Sequence, residues 1–194
     1  MGRLEVICGP MFSGKTELLI QRVNQMRQNG VPVQVFKHAL DTRFDQQAIV
    51  SHAGESINAL AVSSACDFIA AIDRTAACIC IDEIQFFDDT MYDACKALVL
   101  AGTIIIVAGL DLDFRAQPFG CMPLFLSYAD YVIKQSASCC SCGLPARFTQ
   151  RISKGRPACC YEPLIVVASS ELYEARCWNC FEGCETDCCK KGFL

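Results

Sequence analysis

Gly9-Pro10-Met11-Phe12-Ser13-Gly14-Lys15-Thr16 decides how the rest of the chain is read, because it satisfies the phosphate-loop pattern G-x-x-x-x-G-K-[ST]. In such a loop successive backbone N–H groups wrap phosphate oxygens, Lys15 reaches the terminal phosphates, and the Thr16 hydroxyl takes a Mg²⁺ position. The pattern carries weight only between a strand and a helix. Ahead of it, Arg3–Cys8 is a short, apolar, partly β-branched run of the kind a buried strand needs. Behind it, Leu18, Leu19, Val23 and Met26 recur at helical spacing over Lys15–Gln28, and Gly30 supplies the stop. A glycine turn without a ligand would require neither flank.

Outward from this stretch, strands and helices alternate. Residues 31–36 read as a second strand, followed by a polar stretch over 37–58 with no clear period, which contains Asp41-Thr42-Arg43 and Ser51-His52. A loop of that length is usually functional. Residues 59–62 read as a short strand, and Ser64 with Asp67 opens a helix that runs to about residue 74. The apolar run 76–81 ends in Asp82-Glu83. Asp88 and Asp89 start a helix whose Met91, Cys95, Leu98 and Val99 share a face and which Gly102 closes. Residues 103–110, β-branched and continuously apolar, read as a parallel strand covered on both faces. A loop over 111–120, a short helix near 123–128 and a strand over 131–133 complete the series. The pattern predicts an α/β fold, a P-loop NTPase (RecA-like) parallel sheet flanked by helices, over 1–135. Near Ser136 the composition shifts to Cys, Gly and Pro, and 136–194 reads as a second, zinc-binding unit with a Cys-rich tail.

Asp82 and Glu83 end an apolar strand. In phosphate-loop proteins the first acid completes the Mg²⁺ site begun by Thr16, and the second can take a proton from the group attacking the γ-phosphorus. A solvated acidic pair is the bland account, and the loop upstream outweighs it. Cys139-x-x-Cys142 and Cys177-x-x-Cys180 have the spacing of a tetrahedral structural Zn²⁺ site, and Gly143 permits the tight turn such a knuckle requires. Cys140, Cys159, Cys160, Cys184, Cys188 and Cys189 lie nearby in the sequence. For the last three a solvated tail is the preferred reading over a second metal. His38 and His52 lack metal-like spacing and read as core or loop residues.

With 194 residues, 53% of them hydrophobic, the chain can bury a sizeable core. Its formal charge of −4 argues against non-specific nucleic-acid binding. No apolar run is long enough to span a bilayer, and Arg3, Glu5 and the phosphate loop occupy the place of a signal peptide. These features point to a cytoplasmic protein in a reducing compartment, where its 16 cysteines would not form a disulfide scaffold. Cys8, Cys66, Cys78, Cys80, Cys95 and Cys121 read as small core residues. The other ten crowd between Cys139 and Cys189.

Taken in order, the chain resembles the type II thymidine kinases, the cytosolic zinc-containing family. The likeness rests on the phosphate loop, Asp41-Thr42-Arg43, Ser51-His52, Ile81-Asp82-Glu83-Ile84-Gln85-Phe86-Phe87 and Leu110-Asp111 with Phe114-Arg115 and Pro118-Phe119-Gly120. It continues through Cys139-x-x-Cys142-Gly143, Thr149-Gln150-Arg151 and Tyr173-Glu174-Ala175-Arg176 with Cys177-x-x-Cys180. The resemblance implies 5′-phosphorylation of thymidine or deoxyuridine by ATP with Mg²⁺, a structural Zn²⁺, and a place in nucleotide salvage for DNA synthesis. It implies Glu83 as catalytic base, with Met11, Phe86, Leu110, Phe114 and Thr149 around the thymine ring and Arg43 and Arg115 handling phosphates. Val166, Val167, Ala168, Ser169 and Tyr173 fall in the segment the family calls a lasso, which closes over the nucleoside. A homotetramer, feedback-inhibited by dTTP, is implied as well. Departures from the family pattern are a bulkier Ile84, Val167-Ala168-Ser169 where some members have Ile-Gly-Gly, and the tail beyond Cys180.

Two other classes share some of these features. A zinc-bearing P-loop ATPase acting on DNA would carry the loop, the acids and the knuckle, but should show a basic face. A GTP-binding switch would need an Asn-Lys-x-Asp motif, and the chain has none.

Overall fold

Alternate residues of the first strand, β1 (Arg3–Cys8), enter two different cores: Leu4, Val6 and Cys8 face one way and Ile7 the other. A strand buried on both faces belongs inside a sheet covered by helices on each side. The computed structural model describes residues 1–40, 48–50, 54–166 and 173–183. After β1 come α1 (Lys15–Gln28), β2 (Val33–His38), β3 (Ala48–Val50), β4 (Ser56–Asn58) and β5 (Leu60–Val62). Then follow α2 (Ala65–Ala71), β6 (Cys78–Asp82), a 3₁₀ turn at Ile84–Phe86, α3 (Asp89–Leu100), β7 (Ile104–Gly109), α4 (Met122–Tyr128) and β8 (Tyr131–Lys134).

Six strands form one sheet in the order β5-β2-β6-β7-β1-β8, every neighbouring pair parallel. Cys78 and Cys80 of β6 pack with Ile106 and Ala108 of β7 against Leu19, Ile20, Val23 and Met26 of α1. On the opposite face Ile79, Ile81, Ile105 and Val107 meet Phe68 of α2, Met91 and Cys95 of α3, and Met122 and Phe125 of α4. Side chains fixed this closely make the sheet rigid, as a platform for chemistry must be.

The elements depart from the sequence reading in a few places. The stretch 37–58 is not one featureless loop. Lys37 and His38 continue β2, and β3 pairs antiparallel with β4. Only Ile49 and Ile57 point inward from that hairpin, too few residues to show a period. The helix begun at Ser64, whose hydroxyl accepts from the Asp67 N–H at 3.1 Å, ends at Ala71 rather than residue 74. Cys66 is not a core residue. It lies exposed on the first turn of α2, while Ala65 and Phe68 face inward.

Past β8 the chain forms small sheets: β9 (Ala137–Ser138) pairs with β10 (Pro145–Ala146), and β11 (Phe148–Ser153) lies between β12 (Arg156–Pro157) and β13 (Tyr173–Arg176), antiparallel to both. Ala137, Cys139, Ala146, Ala175 and Cys177 are the buried residues of a separate, small cluster there.

Candidate active site

Open parallel sheets gather ligands beyond the carboxyl ends of their strands. Here β1 runs out into the phosphate loop, β6 ends at Asp82, and β7 delivers Leu110, so all three converge on one edge. A cavity of about 430 Å³ opens there. Its lining includes Phe12, Gly14, Lys15, Thr16 and Glu83 together with Met11, Phe86, Leu110, Phe114 and Thr149.

The loop is held by its own backbone. Ser13 Oγ and Lys15 Nζ both donate to the Pro10 carbonyl, at 2.9 and 2.7 Å. Gly9 has φ +145°, and a Cβ there would sit 2.5 Å from the Gln135 carbonyl oxygen, so only glycine lets the loop pass that backbone. Gly14 caps α1 in the left-handed region, leaving the first N–H groups of the helix directed at the cavity side, where an anion is favoured. The Met11 N–H donates to Thr149 Oγ1 at 3.0 Å and so ties the phosphate loop to β11.

Thr16 Oγ1 donates to Asp82 Oδ2 at 3.1 Å, and the other Asp82 oxygen accepts from the Glu83 N–H at 2.9 Å. A hydroxyl and a carboxylate oxygen side by side beneath a phosphate cradle are the hard donors that suit Mg²⁺. Glu83 itself has φ +55°, a left-handed conformation that costs a side-chain-bearing residue on the order of 1–3 kcal/mol. The turn swings its carboxylate off the strand axis into the cavity. Beneath it His38 is buried, its Nδ1 accepting from the Leu40 N–H at 3.0 Å and its ring edge-on to Phe87 and Phe86. Burial pushes the His38 pKa below its ordinary value, against an upward pull from Glu83.

Arg115 and Arg151 are engaged with the segment around Glu162 and Pro163. The Arg115 guanidinium donates to the Glu162 carbonyl at 2.9 Å, and Arg151 donates to the Pro163 carbonyl at 2.6 Å. Both lie over the Phe114 ring, at 5.0 and 3.7 Å from its centroid. They brace the segment whose Leu164, Ile165 and Val166 line the cavity with Tyr173.

The four sulfurs of Cys139, Cys142, Cys177 and Cys180 lie within 4.8 Å of one another. The donor set fits a tetrahedral thiolate site. Burial pushes the Cys139 thiol up, but N–H groups of Cys177, Ser141 and Cys142 outweigh it and bring the pKa down to about 6. Cys180 is driven up to about 12 by the neighbouring Cys142 and Cys177. Thiols this close cannot all ionise without a cation between them, which is the chemistry of a metal site.

The structure thus brings together every described residue the sequence marked for the ring pocket and the catalytic acid pair. Leu40, Phe119, Leu164 and Ile165 also line the cavity. Their apolar character gives no local signal, since they arrive from three separate segments, with Leu164 and Ile165 sharing one. Arg43, Val167, Ala168 and Ser169, like Asp41, Ser51, His52 and the Cys184, Cys188 and Cys189 tail, lie outside the described residues.

The family and sequence comparisons agree on one family. The thymidine kinase family model matches residues 2–181. A thymidine kinase of Deinococcus deserti is 46% identical over 186 residues, covering 91% of this chain and 92% of the relative. Among solved structures, the genome packaging NTPase B204 of Sulfolobus turreted icosahedral virus 2 covers 69% of this chain and 74% of its own, with 15% identity and a TM-score of 0.45. The Legionella pneumophila ATPase DotB covers 66% and 34%, with 16% identity and a TM-score of 0.41. Both likenesses are too distant to bear on function.

Proposed function

This chain belongs to the thymidine kinase family, and on that premise we propose that ATP and thymidine meet in the cavity between the phosphate loop and β11. The reaction is ATP-dependent phosphorylation of thymidine. The observation that carries the site assignment is that Glu83, Lys15 and Thr16 share one cavity with an apolar ring pocket. The thymidine 5′-oxygen attacks the γ-phosphorus as the bond to the bridging oxygen of ADP breaks, and its proton passes to the Glu83 carboxylate. The loop N–H groups and Lys15 hold the phosphates, and Gly9, Pro10 and Ser13 shape the loop that presents them. Thr16 and Asp82 would hold Mg²⁺, which supplies charge neutralisation at the β- and γ-phosphates. Cys139, Cys142, Cys177 and Cys180 would hold Zn²⁺, which supplies a structural cross-link. We assign Met11, Phe86, Leu110, Phe114 and Thr149 to the thymine ring. Val166 and Tyr173, with Val167, Ala168 and Ser169, form the closing segment. Arg43 and Arg115 are assigned to phosphate handling, although Arg115 is engaged with Glu162 in the structure.

The same reading extends to deoxyuridine, which lacks only the 5-methyl group. It extends to dTTP, which carries the nucleoside and the triphosphate in one molecule and so can fill both halves of the cavity as an inhibitor. A homotetramer is supported by the edge strand β8, where Tyr131, Val132 and Ile133 are exposed and no other strand among the described residues pairs on the outer side. The division into 1–135 and 136–194 is supported by the separate small core past β8. Free thiols throughout the described residues support a cytoplasmic location, and no helix among them is long and apolar enough to cross a membrane.

A coupled assay with ATP and each deoxynucleoside tests the site. Thymidine and deoxyuridine should turn over. Purine nucleosides should fail on size, and deoxycytidine because its 4-amino donor replaces the acceptor that a pocket built for thymine would pair with a donor. Comparable kcat/KM for deoxycytidine and thymidine would defeat this reading.

A further inference from the structure

Gln85 is 2% exposed and lies in the 3₁₀ turn just beyond Glu83. Both ends of its side-chain amide are used. Its Oε1 accepts from the Leu110 N–H at 3.0 Å, and its Nε2 donates to Glu83 Oε2. A backbone N–H can only donate, so the atom facing Leu110 must be the oxygen. The NH₂ group is thereby forced toward Glu83, where it can only donate. The amide orientation is therefore dictated by β7 and imposed on the carboxylate at the end of β6.

Two glycines make room for this bridge. A Cβ on Gly109 would lie 2.3 Å from Gln85 Oε1, and one on Gly120 would lie 2.1 Å from the Gln85 carbonyl oxygen. The Gln85 turn is thus packed tightly on two backbones, neither of which could carry a side chain there. Leu110, at the other end of the bridge, lines the cavity assigned to the thymine ring.

We propose that Gln85 is a positioning residue for phosphoryl transfer: it locks the Glu83 carboxylate in register with the Leu110 wall of the nucleoside pocket, so that the proton acceptor faces the 5′-hydroxyl of a seated nucleoside. Gln85 touches neither substrate in this role. It acts through Glu83, and the inference rests on Glu83 being the base. Removing the Gln85 donor takes away one of the contacts that fix the Glu83 carboxylate on its strained left-handed turn. Misplacement at the reacting centre by about 1 Å costs on the order of 10²-fold in rate.

Two variants separate the two ends of the bridge. Gln85→Met keeps the shape and removes both hydrogen bonds. Gln85→Glu keeps an acceptor for the Leu110 N–H but sets a second carboxyl against Glu83. The positioning contact is lost and a like charge is added, which raises the carboxyl pKa values, so kcat in this variant is read from the alkaline plateau of its pH profile, where both groups are ionised. Steady-state kinetics on the full-length chain with ATP and thymidine, alongside thermal melting, should show kcat reduced about 10- to 100-fold in both variants. KM for thymidine should stay within about twofold of the parent in Gln85→Glu, because the pocket wall is still tied. A kcat within about twofold of the parent in Gln85→Glu overturns the proposal, as does a defect confined to KM. Glu83→Gln is run beside them. Normal turnover in that variant would remove the premise that Glu83 is the base, whereas an inactive Glu83→Gln with a normal Gln85→Glu removes only the positioning role.

Discussion

Glu83 concentrates three separate features in one residue: a carboxylate, a left-handed backbone and a place on the cavity wall. Strain of this kind persists only where surrounding structure over-determines it, and here Asp82 and Gln85 bond its backbone and side chain. Glu83→Gln preserves the shape and the contacts of the side chain's reach but removes the proton acceptor. Its kcat should fall roughly 10²- to 10⁴-fold with thymidine KM nearly kept, as read by steady-state kinetics. At this scale the sequence was legible wherever function sits in a contiguous motif. The phosphate loop, the Asp82-Glu83 pair and the two Cys-x-x-Cys knuckles each carry their own spacing. Gln85 carried no such signal, because its meaning lies in Leu110, 25 residues away and brought near by strand pairing. Cys66 misled for the converse reason: an apolar neighbourhood in sequence places a residue on neither face of a helix until the helix phase is known.

Among the elements, β2 shows how a strand end can carry a burial cost. It extends through His38, which sits against Phe86 and Phe87 of the turn that follows Glu83. Burial lowers its pKa from 6.5, so the unfolded chain binds this proton more readily than the folded one. The contribution to stability is therefore complete above pH 6.5 and is lost as pH falls from there toward the folded value. His38→Phe keeps an aromatic ring and removes the titration. Thermal midpoints measured from about pH 8 to about pH 5 should fall less steeply in that variant than in the parent. An equal slope would mean that His38 carries no such penalty. The strand itself was legible as a β-branched apolar run, but its end was not, because Lys37 and His38 are polar residues buried by tertiary contacts. The β3–β4 hairpin escaped notice in the same stretch, since three-residue strands with one inward side chain each are shorter than any period.

Across the whole molecule, the two-core sheet and the small C-terminal sheets are stabilised by different means. The central sheet buries apolar residues on both faces, whereas the cluster past β8 is built from alanines and cysteines, with Phe148 packed by Trp178 and Phe181 beside it, and supplies much less hydrophobic stabilisation. Metal ligation should therefore be what fixes that region, as in other small metal-dependent units. Cys139 and Cys142 flank the approach to β11, and Cys177 and Cys180 follow β13. A single ion would pin both ends of the segment that runs from Thr149 to Tyr173 and contributes Thr149, Leu164, Ile165, Val166 and Tyr173 to the cavity lining. Thr149 in turn holds the Met11 N–H of the phosphate loop. Cys177→Ser should lose the bound metal, and with it thymidine binding and turnover. The phosphate loop sits on β1 and α1, packed in the central sheet, so ATP affinity should largely survive. Cys184→Ser and Cys188→Ser should keep both metal and activity, because the tetrahedral set is complete without them. Elemental analysis of the three variants beside the parent, with calorimetric titration of ATP and thymidine, checks each step. One ion per chain, absent from Cys177→Ser and present in the other two, is required; its loss on changing Cys184 or Cys188 would mean that the ligands are drawn from the tail instead.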